Sequence, residues 1–138
     1  MNELNYGSRE ACERLVKAGI VLETEKVWIY ARNTALKGAD FCWRLFNRDS
    51  LMAIEATEQK PSCIIPAPSM AEMWRMIPGE IIYKTMRCSP MIWKSEKGTC
   101  AGAGYWWHEM EIESFFSINP TDALIDLLIW VSQRKEGT

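Results

Sequence analysis

The sequence holds a single histidine, His108, among 138 residues. Chemistry that needs an imidazole must use that one side chain, and no paired nucleophile stands near it in the chain. Five cysteines (Cys12, Cys42, Cys63, Cys88, Cys100) form no C-x-x-C and no tight cluster, so neither a zinc site nor a disulfide framework is spelled out. Charge of one sign is also missing. Sixteen Lys and Arg stand against eighteen Asp and Glu, for a formal net charge of −2, which leaves no global field to attract nucleic acid or anionic lipid. The longest nearly apolar stretch, ALIDLLIWV at 123–131, is too short to span a bilayer and contains Asp126. Phosphate-cradling and nucleophile-elbow strings are absent, and the glycines of KGTCAGAG precede no helix whose dipole would hold an anion. The start, MNELNYGSRE, has neither a basic nor an apolar leader segment. Free thiols in a reducing cytoplasm are the expectation, with no cofactor and no metal.

What is present favours a core. Apolar residues make up 48% of the chain and seven are tryptophan, enough for one domain of this length to bury roughly two-thirds of its unfolded surface. The expectation is a single domain over 1–138, with 1–7 and 134–138 frayed and 95–104 a flexible loop.

Helix signals come with punctuation. In GSREACERLVKAGI, Ser8 caps, Cys12, Leu15 and Val16 share a face, and Gly19 supplies a left-handed stop. In SCIIPAPSMAEMWRMIP, Pro66 and Pro68 hold the backbone extended, Ser69 and Glu72 give the capping-box spacing, and Met70, Met73, Trp74 and Ile77 fall on one face. A groove-binding helix is the functional alternative for this methionine-rich stretch, but a stripe at helical spacing is more often core. In NPTDALIDLLIWVSQ, Asn119 caps, Pro120 takes the first helical position, and Leu124 to Val131 spread apolar side chains over roughly 200°. That arc is about twice an ordinary surface stripe. Either the helix is sandwiched within the domain, or part of it meets another chain.

Strand signals are less sharp. IVLETEKVWIYA reads as one strand or as a hairpin turning at Glu23 to Lys26, and FCWRLFN as a strand. RDSLMAIEATEQK reads as a strand or a short helix, which makes 32–61 the least legible third. EIIYKTMR and PMIWKS predict an antiparallel pair turning at Cys88-Ser89. In YWWHEMEIESFFSI, period-2 alternation places Trp106, His108, Met110 and Ile112 on a buried face, with Trp107, Glu109, Glu111 and Glu113 on a wet one.

On this phase His108 is a core histidine, not a base. The three glutamates are a solvated face that blunts a sheet edge, not a cation site. Trp107, an outward aromatic, is a candidate partner contact, as are Ile125, Ile129 and Trp130 on the wide arc of the last helix.

Three segments together resemble a set of small phage- and prophage-encoded proteins, also found in mobile elements of gut bacteria, that have no assigned activity. They are the helix ending in Ala18-Gly19-Ile20, the PAP(S/T)-x-AE helix at 66–78, and the NP-x-DAL-x-x-LLIWL helix at 119–131, in which Val131 stands at the last motif position. These are structural signals, so the resemblance implies no catalytic residues.

The expected fold is α+β: an antiparallel sheet of about four to six strands with about three helices mainly on one face. The expected function is a non-enzymatic binding or accessory protein of a phage or mobile element, acting through protein contacts with a second copy or a phage or host protein. A nucleic-acid-associated factor is the alternative, and a small enzyme using His108 or a cysteine the third.

Overall fold

Caps decide where the helices begin. The structure, a computed structural model, describes residues 5–32, 41–95 and 100–134. Ser8 Oγ accepts from the Ala11 N–H and opens helix α1, Arg9–Lys17. Strand β1 follows at Lys26–Arg32, so IVLETEKVWIYA is one strand and not a hairpin. It pairs with β2, Phe41–Asn47. Ser50 caps helix α2, Leu51–Gln59, and settles the ambiguous segment as helix. A 3-10 turn at Pro61–Cys63 leads into β3, Ile64–Ala67, which pairs with the other side of β1. Pro66 is tolerated there because β3 is an edge strand. Helix α3, Met70–Met76, carries the expected capping box in full, with Ser69 Oγ accepting from the Glu72 N–H and Glu72 accepting from the Ser69 N–H.

The second half is a meander of β4 (Ile81–Tyr83), β5 (Met86–Lys94), β6 (Ala101–Trp107) and β7 (Met110–Ser117), closed by helix α4, Pro120–Ser132. The fold is α+β, with seven described strands divided between two antiparallel sheets, β2-β1-β3 and β4-β5-β6-β7. Helix α4 packs on β6 and β7, α1 packs on β3, and both α1 and α3 pack on α4. One continuous core results, joining Trp28 and Ala67 of the first sheet to Cys88, Ala103 and Tyr105 of the second. The fourth helix, α2, covers the opposite face of the first sheet, where Ala53 meets Val27, Ile29 and Ala31.

Several expectations need correction. The first hairpin of the second sheet turns at Lys84-Thr85, not at Cys88-Ser89, since Tyr83 pairs with Met86 and both turn residues have positive φ (46° and 69°). The stretch expected as a loop over 95–104 is strand from Ala101 onward, residues 96–99 lying outside the described chain. The expected frayed ends are held where they are described. Tyr6 bridges to Ser69, and the Arg134 guanidinium donates to the Ile82 carbonyl at 3.0 Å; residues 1–4 and 135–138 lie outside the described chain.

The N-terminal segment joins the two halves. The Gly7 N–H donates to the Pro68 carbonyl at 2.9 Å, and the Gly7 carbonyl accepts from the Trp28 indole at 2.8 Å. The next N–H, of Ser8, donates to an Asp122 carboxylate oxygen at 2.7 Å. A methyl group on Gly7 would stand 2.5 Å from Ile125 Cδ1 and 2.8 Å from Cys12 Sγ. Gly7→Ala is therefore expected to destabilise the fold by roughly 1–3 kcal/mol, as overpacking of a filled core does, read as a lower urea midpoint with unchanged slope.

Candidate functional site

The register of the second sheet sorts its side chains into two faces. Ile92, Ala103 and Phe115 are cross-strand partners and pack on the main core beneath α4. The opposite face presents three rows: Trp93, Gly102 and Phe116; Met91, Gly104 and Ser114; Ser89, Trp106 and Glu111. Glycine in the middle strand lets the rings close over the backbone. A Cβ on Gly102 would fall within the Trp93 ring, and one on Gly104 would collide with the Glu113 carbonyl. Trp93 stands edge-to-face against both Trp106 and Phe116, at centroid separations of 5.5 and 5.7 Å. The helix packed on β6 and β7 lies on the inner side, so Phe116 keeps 52% and Met91 46% of its surface exposed.

This aromatic face runs into a groove of about 600 Å³ lined by Thr85, Arg87, Ser89, Met91, Trp106, Trp107 and His108. Both hairpin turns beside it hold non-glycine residues in the left-handed region: Lys84 and Thr85 at one, His108 (φ 54°) at the other. For a β-branched threonine that conformation is an outlier, and such strain gathers where function fixes the backbone. The lining is donor-rich. Arg87, His108 and two hydroxyls contribute, and no lining residue is a carboxylate. The Trp106 indole N–H is withdrawn from solvent and finds no acceptor among the described residues. A buried donor left unpaired costs about 1–3 kcal/mol.

The sequence-based candidates are distributed differently from expectation. Ile125 is 0% exposed in the core, so it meets no other chain. Here α4 is sandwiched, and its arc is covered from within the domain. Ile129 and Trp130 are half-buried and line a second groove with Arg14 and Asp126. An ion pair between those two, at 3.0 Å, crosses it, and the Trp130 ring is occupied by Tyr105 and by the Arg134 guanidinium, 5.1 Å from its centroid. Trp107 is not the outward tryptophan. It packs on the main core, while Trp106 takes the outer face. Trp74 likewise leaves the buried stripe of α3, where Met73 and Ile77 remain.

His108 is an exposed turn residue, not a core histidine, with the Trp107 ring 4.7 Å from its own. Glu109 shares that two-residue turn, Glu111 is exposed beside Trp106, and Glu113 is half-buried. All five cysteines are free thiols. Burial, aided by the Asp122 carboxylate, pushes the Cys12 thiol from 9.0 up to about 12, which makes it a packing residue and a poor nucleophile. Among the described residues no three His, Cys, Asp or Glu side chains are placed to hold a metal ion, and no helix is long and apolar enough to cross a membrane.

The residues missed from sequence are Trp93, Trp106, Phe116, Met91 and Arg87. Their signal lay in the small residues of AGAGYWW. Ala101, Ala103 and Tyr105 set the inner phase, and Trp106 falls opposite. Comparison with protein-family models, curated proteins and solved structures finds no match to the chain.

Two measurements check this description. Thr85→Asn, which substitutes a residue tolerant of the left-handed region, is expected to raise stability by on the order of 1 kcal/mol in chemical denaturation. The raised Cys12 pKa stabilises the fold fully below pH 9 and is lost as pH climbs from 9 through about 12. By pH 10.5 the loss reaches about 2 kcal/mol, so Cys12→Ala should show a shallower fall in stability between pH 8 and 10.5 than the parent protein.

Proposed function

We propose that this is a non-enzymatic binding protein whose contact surface is the outer face of the second sheet. The carrying observation is the open cluster of Trp93, Trp106, Phe116 and Met91, an apolar patch left exposed beside a groove with polar donors. Exposed aromatic patches with polar rims mark protein contacts, and tryptophan and methionine are enriched there. The partner is a second copy or another protein of the same phage, mobile element or host cell. Segment resemblance to phage and prophage proteins supports that accessory setting, and unpaired cysteines suit the cytoplasm.

A second reading has one observation in its favour, since aromatic side chains on an open antiparallel sheet are a platform on which bases stack. Here the rings are locked edge-to-face instead of presenting flat surfaces, Glu111 stands beside Trp106, and the chain is net acidic. Protein contact is the better fit. Catalysis is the weakest reading, because His108 faces an indole ring and no nucleophile lines its groove other than exposed hydroxyls.

Met91→Glu and Phe116→Glu place charge at exposed positions of the face, where the fold tolerates it. Partners recovered with the parent protein, or its own dimer in sedimentation, should be lost in both variants and retained by Leu51→Glu on α2. Recovery and sedimentation indifferent to both face variants would overturn the assignment.

A further inference from the structure

Resting on that reading, we propose that the groove between the two strained turns receives a single carboxylate side chain from an otherwise apolar segment of the partner protein. The groove's lining supplies donors without a competing carboxylate: the Arg87 guanidinium and the hydroxyls of Thr85 and Ser89. Arg87 is available. Among the described residues its one ion pair, to Glu80, is 4.0 Å long with both side chains well exposed, a geometry worth little in water. Arginine also presents the planar fork that takes a carboxylate through two hydrogen bonds.

The Trp106 ring lines the same groove, and its indole N–H, withdrawn from solvent, serves as a reporter of what the groove holds. The two turns fix the ends of the groove, and the apolar face beside it accommodates hydrophobic residues flanking the acid. Glu109 and Glu111 lie just outside the lining. They oppose a long acidic run and favour a single carboxylate set among apolar neighbours.

The test uses the full chain labelled with nitrogen-15 and two capped pentapeptides, Leu-Leu-Glu-Leu-Leu and its glutamine counterpart, with sodium acetate as a third probe. The glutamate peptide is expected to move the Trp106 indole N–H resonance saturably, to bind at least tenfold more tightly than the glutamine peptide, and to lose at least tenfold with Arg87→Gln. Arg87→Lys should restore only part of that loss. Equal binding of both peptides, or full binding by Arg87→Gln, overturns the carboxylate role. Acetate saturating the same resonance at the same concentration overturns the assignment to a protein segment. If partner recovery still depends on Met91 and Phe116 while the peptides fail, this inference falls and the binding face stands; if neither depends on the face, both fall.

Discussion

Everything in the fold depends on a short knot of hydrogen bonds around Gly7. Its carbonyl takes the Trp28 indole from the first sheet, its N–H ties to the end of β3, and the next N–H ends on Asp122 at the start of α4. Asn119, the cap of α4, donates to the Tyr6 carbonyl in the same knot. A carboxylate at a helix N-terminus is favoured by the helix dipole, and the extra backbone donor lets Asp122 be nearly buried with no ion pair among the described residues. Glycine is required at position 7 because Ile125 and Cys12 fill the space a side chain would need. Removing the knot would leave two sheets with few reasons to keep their relation to α4.

That arrangement determines which surface is left open. With α4 held against β6 and β7, the inner residues of β6 must be small or must reach past the helix, which Ala103 and Tyr105 do. The Tyr105 hydroxyl passes to the Pro78 carbonyl beyond α3, and burial raises its pKa to about 12, so it holds its proton and its bond. Trp106 of AGAGYWW and Trp93 of IWK are thereby placed on the other side of the sheet, whereas Trp107 reaches the core at the strand end. An apolar core with limited room on one face thus produces an aromatic surface on the other.

The helices were legible because their boundaries are written in local chemistry. Ser8, Ser69 with Glu72, and Asn119 with Pro120 each act within one turn of themselves, and each does what its spacing implies. The α2 segment was ambiguous since it buries little beyond Ala53, leaving no periodic stripe to read. The strands failed at their turns. Two-residue hairpins ordinarily announce themselves with glycine or asparagine, but Lys84-Thr85 and His108-Glu109 carry neither, so two hairpins were read as a misplaced turn and a continuous strand. Once the His108 turn is hidden, the phase of β6 follows the bulky residues instead of the small ones. His108 is then assigned to the core and the two tryptophans exchange faces. The site was illegible for the same reason, as it is built from that phase.

The unusual turns are also an argument about selection at the site. This chain uses glycine where the backbone must be approached closely, at Gly7, beneath the Trp93 ring at Gly102, and against the neighbouring strand at Gly104. It uses Gly19 at φ 79°, where a helix needs a left-handed stop. It does not use glycine at Lys84, Thr85 or His108, although the same backbone region is required there. A folding constraint alone would favour glycine or asparagine at those positions. Two of the three, Thr85 and His108, line the groove, and their side chains are what glycine would delete. Strain retained where its side chains border a cavity fits a surface shaped to be occupied.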